Sequence, residues 1–289
     1  MSRSELELSG RRVLITGAAR GIGALTAKRL SARGARVALL GLEPELLAAT
    51  AAECGDAPWF ECNVAERDQV DAAVAGAVEA LGGLDVAISN AGVAAQLPLV
   101  GGDPEIFERT IAVNLIGSYY VVRAVGAQIS HPNGYALLVA SLAAAVHPPL
   151  LGAYSASKAG VEALGDALRA EIAPSGARVG VAYFAELDTD MTSRGFGTEA
   201  ASRSPLGGNG HLPVTPVERA IDAIELGIRR RSRRVVTPGW VAAVLPVRMA
   251  AQRVVERMFR GRELVEVLEI ARAEHAPLTT PQEEGGKGR

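Results

Sequence analysis

Short apolar runs alternate along the chain with longer stretches in which apolar residues return every three or four positions. The short runs, near 12–16, 36–41, 58–62, 84–88, 134–140, 177–183 and 233–237, predict strands. Two of them, RVALL and YALLVA, are apolar almost throughout, which suits parallel strands covered on both faces. Helical spacing over 21–33, 66–81, 104–128, 154–173 and 216–229 fills the intervals. This alternation predicts an α/β fold, a doubly wound parallel sheet of seven strands with helices on both faces. No internal repeat or break in composition marks a second domain, so residues 1–238 read as one unit. Residues 239–274 read as a helical extension packed on it. The segment 192–215 is rich in Gly, Ser and Pro, and 275–289 is polar and expected to be disordered.

Composition narrows the function classes. A formal net charge of -2 gives no nucleic-acid signature. The two cysteines, Cys54 and Cys62, form no CxxC motif, so two free structural thiols in a reducing compartment are expected. The polar N-terminus MSRSELELSG lacks the apolar core of a secretory signal, and no window is expected to span a membrane. A soluble cytoplasmic protein is therefore expected. His131, His147, His211 and His275 have no metal-ligand spacing, so no metal is expected.

Two motifs carry chemistry. TGAARGIG, Thr16 to Gly23, lies between a predicted strand and a predicted helix. Gly17 permits a sharp turn, while Gly21 and Gly23 permit close approach of backbone to phosphate and of helix to sheet. The helix start near Ile22 offers free N–H groups and a positive dipole end to a pyrophosphate. A βα turn without a ligand has the same glycines. The second motif, YSASK, puts Tyr154 and Lys158 four apart on one helix face. An ammonium beside a phenol favours the phenolate, so a lowered Tyr154 pKa is expected. Ser141 ends the strand YALLVAS, at the sheet edge where ligands bind, and its hydroxyl can hold a substrate oxygen beside Tyr154.

Together with SNAG (Ser89 to Gly92) and IAVNLIGS around Asn114, these motifs resemble, in order and spacing, the classical short-chain dehydrogenase/reductase family over roughly residues 8–238. The resemblance implies a Rossmann-type sheet ordered 3-2-1-4-5-6-7 and a nicotinamide dinucleotide. It implies Tyr154 as general acid/base, Ser141 as the group that polarises the substrate oxygen, and Lys158 on the nicotinamide ribose. Asn114 would support a water relay from Lys158. Cofactor contacts are implied for Thr16, Gly17, Arg20, Gly21, Ile22, Gly23, Gly41, Leu42, Asn63, Val64, Asn90, Ala91, Gly92, Tyr154, Lys158, Leu187 and Thr189. The reaction implied is hydride exchange between the cofactor and a ketone/secondary alcohol pair.

The sequence departs from the family pattern at several points. Gly41 stands where NAD enzymes usually carry Asp, and Arg20 adds a positive charge; both lean towards NADP over NAD, although Glu43 can instead reach the ribose. Asn63 replaces an Asp but keeps an amide oxygen for the adenine amino group. Phe184 and Ala185 replace a Pro-Gly pair, and Phe184 would present an aromatic edge near the nicotinamide. Glu186 lines the substrate mouth or points to solvent. Ser141, Leu142, His147, Leu151, Tyr154, Phe184 and Glu186 are the substrate-side candidates, and Leu150 and Leu151 suggest a medium-sized, fairly apolar substrate. Residues 192–215 fall where the family has its substrate loop. Val247, Ala251, Val254 and Met258 make an apolar stripe expected to pack within the protein; a cover on the pocket, a subunit interface and a membrane surface are the alternatives. The family implies a homo-oligomer, a dimer or tetramer, built on the helices over 104–128 and 154–173. The alternatives are a non-redox enzyme on this fold (isomerase, lyase or cyclase) and a cofactor-bound regulatory protein.

Overall fold

The computed structural model describes residues 5–188, 198–203, 214–274 and 278–279. Strands β1 (Arg12–Thr16), β2 (Arg36–Gly41), β3 (Trp59–Glu61), β4 (Val86–Ser89), β5 (Tyr135–Val139), β6 (Arg178–Phe184) and β7 (Arg234–Thr237) form one sheet. Their spatial order is β3-β2-β1-β4-β5-β6-β7, and every pairing is parallel. The order reverses beside β1, which opens a crevice above the carboxyl ends of β1 and β4. Both the parallel class and the sheet order expected from the sequence hold.

Successive strand residues point to opposite faces, so each strand feeds two cores. Leu14 and Leu138 lie on one face with Val70 and Val74 of α3 (Arg67–Leu81), Val125 and Ile129 of α5 (Gly117–Ile129), and Val161 of α6 (Gly152–Ile172). Val13, Ile15 and Leu137 lie on the other with Ala27 and Leu30 of α1 (Gly21–Ala32), Leu47 of α2 (Pro44–Glu53), and Ile224 and Ile228 of α8 (Val217–Arg230). Continuous apolar strands are what two covered faces require. Helix α2 lies outside the segments with clear helical periodicity; its start is set by Pro44 at the first turn.

Between α4 (Pro104–Ile111) and α5 the helix opens into a π-turn, Ala112–Ile116. Helical spacing over 104–128 gave no sign of this interruption. The whole run Pro104–Ile129 is long and apolar enough to cross a membrane by length and composition, contrary to the expectation that no window is. Its apolar positions are explained by the sheet layer it packs on, with Val121, Val125 and Ile129 buried.

Beyond β7 the chain forms α9 (Val241–Val244), α10 (Arg248–Met258) and α11 (Arg262–Glu274). Val241 and Leu245 enter the first core. The apolar stripe expected to pack inward does not: Val247, Val254 and Met258 are exposed, and Ala251 is only half-buried. Polar anchors orient α10 instead. Arg248 gives Glu162 of α6 two hydrogen bonds, at 2.9 and 2.7 Å, and Gln252 Oε1 accepts from the His147 amide at 2.8 Å. A charged pair at the contact face leaves the apolar flank outward.

A short helix α7 (Glu199–Arg203), with Thr198 before it, and the pair Val214 and Thr215 are the described parts of the 192–215 segment. Most of that segment and of the 275–289 tail lies outside the described residues.

Candidate active site

The glycine turn begins where β1 ends. Gly17 and Gly21 have φ of +65° and +54°, a region in which a Cβ is strained. A Cβ on Gly23 would lie 2.1 Å from the Gly17 carbonyl oxygen, so only glycine lets α1 start this close to the strand end. The space beside Gly21 is open to 4 Å, and α1 presents its first amides there with no side-chain cap at Arg20. An anion at that end would meet unpaired N–H groups and the positive dipole end. Ile22 packs against the second core.

The Asn90–Ala94 loop leaves β4 beside this turn and is pinned from several directions. Thr16 Oγ1 accepts from the Asn90 and Ala91 amides at 3.0 and 3.1 Å. Asn90 Nδ2 donates to the carbonyls of Thr16 and Gly17, so both side chains brace the turn. Asn114 projects from the π-turn, fully buried, and holds Val93 by both backbone groups, at 2.8 and 2.9 Å. Its Nδ2 also donates to Ser157 Oγ, which in turn donates to the Tyr154 carbonyl. Nothing in the pattern singled out Ser157; its only signal is its place one residue before Lys158 in YSASK.

Tyr154, Lys158, Ser141 and Asn114 come together here. Lys158 is 4% exposed, and its Nζ donates to the Val139 carbonyl at 2.9 Å and lies 5.6 Å from the Tyr154 ring centroid. A Cβ on Gly92 would meet this Nζ at 3.3 Å and Asn114 Oδ1 at 3.2 Å, so Gly92 keeps the floor open. Burial pulls Lys158 down to about 8. Tyr154 corrects an expectation: burial raises its phenol, and the hydrogen bond with Ser141, which lowers it, does not compensate. The i,i+4 spacing located the lysine correctly, but burial of the phenol sets the direction of the shift. Ser141 Oγ accepts from the Ala143 amide at 3.1 Å and reaches the Phe184 carbonyl at 3.4 Å.

The adenosine end differs in detail. Arg20 is held by Glu43, Nε to Oε2 at 2.8 Å, with a second contact from Nη2 to Oε1. Its charge is therefore compensated rather than free. Gly41 closes β2, and a Cβ added there would meet Leu47 and Ala19 only at ordinary contact distance; Leu42 borders a cleft with Trp59, Phe60, Glu61 and Gln69. Asn63 Oδ1 already accepts from the Ala65 amide at 3.1 Å, so one lone pair remains for an adenine amino group. Val64 is buried, and a Cβ on Gly117 would meet both its side chain, at 2.8 Å, and its carbonyl oxygen, at 3.0 Å.

On the substrate side, Phe184 is a correction. Its side chain is buried in the second core, so only its carbonyl reaches Ser141. Leu150 is buried in a small cluster with Ala200, Val267 and Ala271, whereas Leu151 is half-buried and Leu97 forms a bridge with it. Leu142 is half-buried against the first core, and His147 is exposed. Glu186 is half-buried, and burial raises its carboxyl. Leu187 is buried and bridges to Thr215. Thr189 lies outside the described residues. Among the described residues no group of three His, Cys, Asp or Glu is placed to hold a metal.

The family model for short chain dehydrogenases matches residues 11–200. The chain is 36% identical over 180 residues to D-threitol dehydrogenase of Mycolicibacterium smegmatis, covering 61% of this chain and 69% of the relative. It is 33% identical over 198 residues to 2,5-dichloro-2,5-cyclohexadiene-1,4-diol dehydrogenase of Sphingobium indicum, covering 67% and 79%. It is 37% identical over 171 residues to 2-dehydro-3-deoxy-L-rhamnonate dehydrogenase (NAD(+)) of a Sphingomonas species, covering 58% and 68%.

Proposed function

The chain belongs to the short-chain dehydrogenase family and is an oxidoreductase acting on CH–OH groups; from that premise we propose that it interconverts a ketone and a secondary alcohol on a medium-sized, fairly apolar substrate. The observation that carries this reading is the convergence of Ser141 and Tyr154 with a buried Lys158, whose Nζ lies 5.6 Å from the Tyr154 ring centroid. A nicotinamide dinucleotide, which the open glycine turn and the α1 amides fit, supplies or accepts the hydride when bound. Among the described residues Lys158 makes one hydrogen bond to protein, which leaves two N–H donors for ribose hydroxyls. Ser141 orients and polarises the substrate oxygen. Burial keeps the Tyr154 phenol protonated at neutral pH, the state needed to protonate a developing alkoxide. In the oxidative direction Tyr154 first gives its own proton to the relay that runs by Lys158 and Asn114, and as phenolate it then takes the alcohol proton. The two free, buried thiols suit a reducing cytoplasm.

Replacing Tyr154 by Phe removes the proton but keeps the ring. Turnover in a ketone panel should fall by about a hundredfold or more, with cofactor binding within a few-fold of wild type. Near-wild-type turnover would remove Tyr154 from the chemistry.

The cofactor proposed is NADP(H) in preference to NAD(H). Gly41 leaves the β2 end without a carboxylate, and Arg20 is the cation beside it, shared with Glu43. Freeing the guanidinium by Glu43→Gln should widen the kcat/KM ratio for NADPH over NADH, and Arg20→Ala should reverse it. If neither substitution moves the ratio, this pair has no part in cofactor choice.

A further inference from the structure

The C-terminal segment lies beyond the stretch the family model matches, yet it is bonded into the wall of the active site. Thr279 is 4% exposed. Its amide donates to the Ala94 carbonyl at 3.0 Å, and its Oγ1 accepts from the Ala94 amide at 3.0 Å. Ala94 itself is fully buried. One residue earlier, Val93 is held by both backbone groups of its own to Asn114. An unbroken series of hydrogen bonds and adjacent residues therefore runs from Thr279 through Ala94, Val93, Asn114 and Ser157 to the backbone of Tyr154.

Helix α11 secures the same wall from outside. Glu274 accepts from the first amides of α7, Glu199 and Ala200, at 2.6 and 3.2 Å. Glu266 pairs with Arg203 at 2.5 Å, and Val267 and Ala271 bury Leu150 and Ala200. Thr198, at the head of α7, donates to Gln96 Oε1 at 2.7 Å, two residues past Ala94. The loop that leaves β4 is thus fixed by β1, by the π-turn and by the C-terminal segment.

We propose that Thr279 is a positioning residue for the active site: its two-bond clasp on Ala94 holds the Asn90–Ala94 loop in the conformation that receives the dinucleotide and aligns Asn114. The physical reason is that a buried amide such as that of Ala94 must have an acceptor. Without the hydroxyl, the loop gains by opening to water, and Val93 and Asn114 lose their alignment with it. Thr279 acts through its two bonds to Ala94 and not on the reacting groups themselves. The idea rests on the cofactor-dependent reading above.

Thr279→Val keeps the shape and removes the acceptor, while Thr279→Ser keeps the hydroxyl. Dissociation constants for NADPH and NADH, read by calorimetry, and amide hydrogen exchange of peptides spanning 90–97 should be measured on the full chain at a temperature where all variants are folded. The expected result is roughly tenfold weaker binding and faster exchange at 90–97 in Thr279→Val, both restored in Thr279→Ser. Unchanged binding and exchange in Thr279→Val would overturn the clasp. So would a valine and a serine variant that behave alike, or a general loss of stability without faster local exchange. Wild-type protein that binds neither dinucleotide would instead sink the cofactor-dependent reading itself.

Discussion

Lys158 concentrates the conflict between stability and function in one side chain. Its ammonium is almost wholly buried, with a backbone carbonyl as its hydrogen-bond partner, and burial lowers its pKa to about 8. In the unfolded chain the same group titrates at ~10.4. Between those values the unfolded state holds more protons, so the cofactor-free protein should gain stability as pH rises through that window. Below it the full cost of burying the charge is present. Lys158→Met removes the charge and keeps the length. The variant should be more stable than wild type at pH 7, by roughly 2–3 kcal/mol, and lose this slope between pH 8 and 10, while turnover collapses. Urea unfolding across pH tests it. A variant less stable at pH 7, or one with an unchanged slope, would show that the ammonium is not a buried cost. Spacing alone put Tyr154 and Lys158 on one helix face, and that was legible. The direction of the Tyr154 shift was not, because desolvation depends on the packing above the ring and not on the i,i+4 neighbour. Arg20 is a similar case: its charge was legible, but its compensation by Glu43 arises only when β1 and β2 lie side by side.

At the scale of elements, the strands were the most legible feature because being covered on both faces makes them continuously apolar. The π-turn was invisible, since Ala112–Ile116 keeps helical spacing on either side and differs only in where the carbonyls point. The α10 stripe misled for a related reason. Periodicity shows that a face is apolar, but the Arg248–Glu162 pair decides which face turns inward. The amino ends of the central strands carry a similar pin between β1 and β4. Asp85 accepts from the Arg12 amide and guanidinium at 3.0, 3.0 and 2.9 Å. Burial would raise its carboxyl, but these bonds outweigh it and hold the pKa below the usual value. A depressed carboxylate contributes stability above its unfolded pKa, and that contribution fades as pH falls through the folded one. Asp85→Asn should therefore cost about 2 kcal/mol at pH 7 and less at pH 3. Chemical unfolding at the two pH values checks this, and an equal loss at both would assign the effect to packing instead of charge.

For the whole molecule the open question is what covers the outer faces of α5 and α6. Ile116 and Tyr119 are 37% and 45% exposed on the π-turn and α5, and Ala163 and Ala167 are exposed on α6. Alanines four apart on an outer face let a second helix approach closely. We propose that these faces meet their equivalents in other copies, giving a homo-oligomer of two or four chains. A symmetric interface is self-complementary, and a small, nearly uncharged strip of this kind can pack against itself. The consequence reaches the chemistry, because α6 also carries Tyr154 and Lys158, and a helix clamped on its outer side holds its inner side chains more firmly. Ala163→Arg puts a charge and a long side chain at the centre of the strip, and like charges would meet across the symmetry axis. Light scattering should show the wild type as a dimer or tetramer at micromolar concentration and the variant as a smaller species. Turnover should fall with the loss of assembly, while the folded far-UV signature is kept. A wild-type protein that is monomeric and fully active would defeat the interface, and a variant that stays assembled would place the contact on another face.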